Sequence, residues 1–298
     1  MTLRPRPDPI ACPSRRRWLV LAAAGLALPA FGREGVDVGK KSWVAGLVPA
    51  EQIEQAAGQQ YRQMLTQASQ QRALAPANNR QLERLRAIAK RIIPYSYEWN
   101  DRARQWKWEV NLIGSKQINA FCMPGGKIAF FYGLLDRLQL SDDEVAMVMG
   151  HEIAHALREH ARERVGKTAA TRGAIEIGAA LLGLGGGGRY LADMGGQLVT
   201  LKFGRDDESE SDLIGMELAA RAGYDPRSGI TLWNKMAAAN KGAPPEWLST
   251  HPSSSSRIQD IEAALPLVMP LYERAAKPDR VWGPPPPAAA AAASAGVR

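Results

Sequence analysis

The chain has 298 residues, 45% of them hydrophobic, and a formal net charge of +8. Five arginines and one aspartate fall in residues 1–32, so the rest of the chain carries only +4 and gives little support for a nucleic-acid partner. Of the two cysteines only Cys122 lies beyond that stretch, which excludes an intramolecular disulfide in a processed chain and reads as a small buried hydrophobe.

In chain order, Ser14-Arg15-Arg16-Arg17 precedes an apolar run from Trp18 to Ala30 that is too short to span a bilayer. Residues 1–32 therefore read as an export signal cleaved after Gly32. The twin arginines beside Trp18-Leu19 fit either a twin-arginine signal or an ordinary signal with a basic start, and both lead to the periplasm. Cys12 lies before the apolar run, which argues against a lipoprotein. Residues 33–50 read as a linker, followed by helices over about 51–72 and 78–92. Arg80, Arg84, Arg86, Lys90 and Arg91 are expected to form a solvated face of the second helix.

Trp106 to Leu112 alternates strictly and predicts a half-buried strand, with two more over about 118–123 and 127–132 around Pro124-Gly125-Gly126. Ser141-Asp142-Asp143-Glu144 is a capping box that starts a helix. That helix carries His151-Glu152-Ile153-Ala154-His155, which uses two of only four histidines. Residues i and i+4 share a helix face, so His151 and His155 can bind one zinc ion, with Glu152 beside them as general base. Arg158, Glu159, Arg162 and Glu163 mark an expected solvated end. His160 misses the third-ligand spacing by one residue and is expected to point away as a solvated or hydrogen-bonded structural histidine.

The third ligand is then a carboxylate from a second helix, opened by Phe203-Gly204-Arg205-Asp206-Asp207-Glu208 and ending near Gly223. Glu208 and Asp212 share a face of it: Glu208 can ligate, and Asp212 can accept the other N–H of a liganding histidine. Glu210 is expected to be dispensable for the metal. Between the two helices, Gly183 to Gly188 would permit a mobile loop over the cleft, or form a plain connector. The stretch from Pro284 to Ala293 is of low complexity.

Together, His151–His155 and Glu208-Ser209-Glu210-Ser211-Asp212 resemble the gluzincins of the CaaX prenyl endopeptidase and HtpX family. The likeness is strongest to their soluble periplasmic, BepA- and LoiP-like branch. Asn119 to Ile128, Gly133-Leu134-Leu135, His251-Pro252 and Arg257-Ile258 extend the likeness over roughly residues 45–270. Ser211, Cys122 and Gly204 depart from the usual family residues without touching a ligand. The resemblance implies an α+β, mainly α fold with a small sheet packed beside the HExxH helix, and substrate bound along an edge strand of that sheet. It also implies that His251 lies near the zinc, either stabilising the oxyanion or occupying the open metal position; the plainer reading is a residue leading into the last helix.

The expected organisation is a signal peptide (1–32), a linker (33–50), a zinc metallopeptidase domain (51–275) and a disordered Pro/Ala-rich tail (276–298). The expected activity is one-zinc hydrolysis of unfolded or misassembled envelope polypeptides, with peripheral contact to envelope membrane proteins. A periplasmic chaperone with latent proteolysis is the alternative.

Overall fold

The computed structural model describes residues 33–181, 198, 201–239, 245–252 and 256–286. Residues 1–32, expected to be an export signal, the glycines at 183–188 and the chain beyond 286 lie outside the described residues. Helices α1 (Ala50–Gln70) and α2 (Arg80–Ser96) come first. The Asn79 side chain accepts the backbone N–H groups of Gln81 and Leu82, which fixes the start of α2 at residue 80.

A three-stranded sheet follows: β1 (Glu109–Ile113), β2 (Ala120–Met123) and β3 (Lys127–Phe131), in the order β1-β3-β2. β1 and β3 are parallel, with Glu109 opposite Lys127. β2 and β3 form a hairpin with Met123 opposite Lys127, and Gly125 and Gly126 take φ values of +85° and +75° in its turn. β2 is left at the edge. The strand expected from Trp106 begins only at Glu109, because Trp106 and Trp108 bind Glu54 and the Ala103 carbonyl through their indole N–H groups.

Nor is β1 half-buried. Val110 and Leu112 join a core with α2, while Ile113 joins a second core with Tyr61 of α1. Alternation along this strand thus sorts residues between two apolar layers rather than between core and water.

Beyond the sheet run α3 (Tyr132–Arg137), α4 (Asp142–Leu157), α5 (His160–Leu181), α6 (Arg205–Arg221), α7 (Ser228–Ala239), α8 (Glu246–Thr250) and α9 (Ser256–Arg274). The fold is α+β and mostly helical. No helix among the described residues is long and apolar enough to cross a membrane. Ser141 closes its capping box with Glu144, and from there to Leu157 every residue of α4 is buried.

The basic face expected on α2 is interrupted. Arg84 is fully buried, donating to Asp142 at 2.6 Å and to the Leu140 carbonyl at 2.7 Å, so it holds the start of α4 in place. Asp142 also accepts the backbone N–H groups of Trp282 and Gly283, so the tail expected to be disordered from 276 stays packed through 283.

α4 and α6 cross where two glycines meet. A Cβ added to Gly150 would lie 2.5 Å from the Gly215 carbonyl oxygen, and one added to Gly215 would lie 2.5 Å from the His151 nitrogen. Both obstacles are backbone and cannot rotate away. Gly215→Ala is therefore expected to destabilise the fold by about 1–3 kcal/mol. Gly46, with nothing within 4 Å of its added Cβ, is the control site, and Gly46→Ala is expected to shift stability by no more than about 0.5 kcal/mol. Urea denaturation checks both, and equal midpoints would show that the crossing tolerates a methyl group.

Candidate metal centre

The crossing sets His151 and His155 of α4 against the first turns of α6. Their Nε2 atoms lie 3.0 Å apart. Glu208 Oε2 is 3.7 Å from His151 Nε2, and Glu208 Oε1 is 3.5 Å from His155 Nε2. Four ligands at zinc distances of about 2.0–2.1 Å around a tetrahedron stand about 3.3 Å from one another, so these spacings suit one small cation.

His251, at the C-terminal end of α8, joins the group: one donor atom from each of His151, His155, Glu208 and His251 fits within a 4.8 Å span. Glu208 Oε1 and His251 Nε2 are buried and have no hydrogen-bond partner. Unpaired buried donors and acceptors are costly, and two such atoms on residues of this one donor group fit a metal ion as their missing partner.

The electrostatics agree. Burial lowers the pKa values of His151, His155 and His251, leaving neutral imidazoles with a free lone pair. Burial likewise raises Glu208 to about 9, despite the opposing charge of Arg257. A cation among these donors is what would hold such a carboxylate ionised. Glu152, also buried, rises to about 8, against the opposing hydrogen bond from the Trp247 indole N–H to its Oε1 at 2.6 Å.

His151 Nδ1 lies 2.9 Å from Asp212 Oδ1. Burial alone would raise the Asp212 pKa, but the Arg257 charge and the His151 contact hold it at about 2. Arg257 Nε donates to Asp212 at 2.6 Å, and its Nη1 donates to Glu208 at 2.7 Å. Phe203 stacks on His155 with centroids 4.0 Å apart.

Two expectations are overturned here. The end of α4 is not solvated, since Arg158 and Glu163 are buried. His160 is the hydrogen-bonded histidine of the two readings, but it does not point away: it is buried, with its Nδ1 2.9 Å from His155 Nδ1. The cause is Glu159, whose φ of +62° ends α4 and starts α5 in a new direction. Glu210, expected to be dispensable, pairs with Arg158 at 2.6 Å and reaches His160 Nε2 at 3.4 Å. Trp247 carried no sequence signal of its role, and Arg257 stood out only as part of the late His-Pro stretch.

A cavity beside the donors is lined by Glu152, His155, Phe203 and His251 and by Ala120 to Met123 of the edge strand. The profile of peptidase family M48 matches residues 79–265, which contain every one of these residues. The chain belongs to peptidase family M48. The fission-yeast (Schizosaccharomyces pombe) mitochondrial metalloendopeptidase OMA1 is 37% identical over 182 residues, 60% of this chain and 51% of that protein. The metalloprotease LoiP of Escherichia coli is 29% identical over 191 residues, 63% of this chain and 72% of its own length. The β-barrel assembly-enhancing protease of Yersinia pestis is 31% identical over 159 residues, 50% of this chain and 32% of its own. The chain thus spans about half or less of the OMA1 proteins of fission yeast, Arabidopsis thaliana and budding yeast (Saccharomyces cerevisiae). Family membership makes the matched segment an M48 metallopeptidase domain.

Proposed function

We propose that this chain is a zinc-dependent endopeptidase that is exported to the periplasm and cleaves unfolded or misassembled envelope proteins. The observation that carries the chemistry is the buried convergence of His151, His155 and Glu208, with Glu208 Oε1 lacking any other partner. In this reading those three residues hold one zinc ion, which when bound polarises the scissile carbonyl and acidifies the attacking water. Glu152 takes the proton from that water and passes it to the leaving amine as the C–N bond breaks. The Trp247 indole occupies Glu152 Oε1, leaving Oε2 for the proton. Asp212 accepts the Nδ1 proton of His151 and so keeps the lone pair on Nε2.

Substrate would lie along β2 as an added strand, a mode that uses main-chain hydrogen bonds and suits unfolded chains. Envelope proteins are the favoured class because the export signal and the name of the β-barrel assembly-enhancing relative point the same way. The proposed organisation is a signal at 1–32, a peptidase domain whose packed residues run from Val36, buried in the main core, through Gly283, and a tail beyond it, so that the expected linker at 33–50 and the end at 275 are both corrected.

Replacing Glu152 with Gln is expected to leave one zinc per chain and lower casein cleavage by about 10²–10⁴-fold, the size of a lost acid–base step. Glu208→Gln is expected to lose both metal and cleavage. Metal analysis beside a casein assay reads both. Parent-like cleavage by the Glu152 variant would defeat the mechanism, and a metal-loaded parent without any cleavage would favour the chaperone reading.

His251 has a tautomer that favours one of its two roles. Its Nδ1 lies 2.9 Å from Thr250 Oγ1 and 3.1 Å from the Trp247 carbonyl oxygen; with the Thr250 hydroxyl donating to that same carbonyl at 3.1 Å, both oxygens accept from Nδ1–H, and in this reading Nε2 presents a lone pair. A lone pair can occupy the open metal position but cannot donate to an oxyanion. We therefore read His251 as a latch. His251→Ala is expected to raise basal casein cleavage or self-cleavage at unchanged zinc content. Slower turnover at unchanged zinc would reassign it to oxyanion stabilisation.

Export is checked separately. With Arg15 and Arg16 both changed to Lys, precursor is expected to stay in the cytoplasm. Continued export that depends on the general secretory pathway would replace the twin-arginine route, and a parent protein found only in the cytoplasm would remove the periplasmic assignment.

A further inference from the structure

His151 and His155 differ in what holds their outer nitrogens. His151 Nδ1 faces the Asp212 carboxylate, itself clamped by two nitrogens of Arg257. Among the described residues, His155 Nδ1 has no carboxylate partner. It faces a second imidazole, His160 Nδ1, at 2.9 Å, with both rings buried.

Two Nδ1 atoms at that distance require one to donate and the other to accept. His155 Nε2 points toward the donor group, 3.0 Å from His151 Nε2 and 3.5 Å from Glu208 Oε1. Ligation through Nε2 obliges His155 to carry its proton on Nδ1. His160 Nδ1 must then be the acceptor, which places the His160 proton on Nε2. On that side stand two carboxylates: Glu210 Oε2 at 3.4 Å and Asp207 Oδ1 at 3.9 Å. Arg158 Nε donates to the same Glu210 oxygen at 2.6 Å and keeps it charged and in place. Ser211 Oγ lies 3.5 Å from His160 Nδ1, at the limit of a hydrogen bond.

We propose that His160, backed by Glu210, is the positioning residue that fixes the tautomer and ring orientation of His155 for metal binding. The inference rests on His155 being a metal ligand. It gives α6 a hold on both histidines of α4: Asp212 acts directly on one, and Glu210 acts through His160 on the other. It also gives a reason for the helix break at Glu159, since a continuous α4 would carry residue 160 past the site.

The test is metal affinity, measured on purified full-length protein by chelator competition for zinc, together with thermal melting of the metal-free proteins. His160→Phe keeps a buried ring and removes the acceptor. It is expected to weaken zinc binding by about 10–100-fold, the usual loss when a liganding histidine loses its outer partner. Melting of the metal-free form is expected to stay near the parent. His160→Asn, whose side-chain oxygen can stand in for Nδ1, is expected to recover much of the affinity, and Glu210→Gln to lose a smaller part of it. If the Phe variant does not fold, the Asn and Gln variants carry the test. Folded His160→Phe or Glu210→Gln protein that binds zinc as the parent does overturns the relay. Zinc binding that survives His155→Ala instead overturns the ligand assignment beneath it.

Discussion

The candidate metal centre depends on two helix backbones approaching more closely than side chains normally allow. Packed helices usually keep axes about 8–10 Å apart because residues at the contact need room. At the α4–α6 crossing the contact residues are Gly150 and Gly215, and neither backbone would accept a Cβ from the other. Gly150 directly precedes His151, so the closest approach falls where the first histidine must meet Glu208 and Asp212. Glycine within a helix costs about 1 kcal/mol relative to alanine. Two such positions at one crossing are tolerated because they let short carboxylate side chains from α6 reach imidazoles on α4.

Charge balance supplies the next constraint. Glu152, Glu208 and Asp212 are all buried, and Arg257 is the buried cation bonded to two of them. Fully ionised, three carboxylates against one guanidinium leave two negative charges, which one divalent cation would cancel. Without that cation the cheaper state is protonation, which is the direction in which Glu152 and Glu208 are pushed. Asp212 alone stays firmly ionised, because Arg257 grips both of its oxygens. Arg257 thus keeps Asp212 ionised beside His151, while Glu152 and Glu208 are the two carboxylates that a bound cation would return to the ionised form.

The convergence of His151, His155 and Glu208 was legible in the sequence because helical spacing fixes which residues share a face. The capping box at Ser141 was legible for the same reason: both of its bonds are local. Contacts made across long sequence separations were not. Trp247 reaches Glu152 from a five-residue helix that no periodicity announces. The direction of His160 is not legible, because the positive φ at Glu159 leaves no mark in a Leu-Arg-Glu-His run. Arg84 looked like one of several surface cations, and only the fold shows Asp142 and the Leu140 carbonyl waiting for it. β1 misled in another way, since strict alternation has the same appearance whether the second face meets water or another core.

Trp247 ties the remaining parts together. Its backbone N–H donates to the Ile118 carbonyl, just before the edge strand, and its indole N–H donates to Glu152. Its carbonyl oxygen accepts the His251 backbone N–H at 2.9 Å and lies 3.1 Å from His251 Nδ1. Its ring stacks on His251, with centroids 4.8 Å apart and planes 20° apart. One residue therefore touches the approach to the proposed substrate strand, the proposed base and the proposed latch. His251 cannot swing far from the metal position while α8 keeps all of these bonds. If His251 is the latch, its withdrawal would either rotate the side chain, giving up the Nδ1 contacts and the stacking on Trp247, or move α8 and loosen Glu152 with it. The first route leaves the base oriented for reaction and the second does not. In the latch reading, a productive opening would therefore be a side-chain movement of His251 with Trp247 held in place.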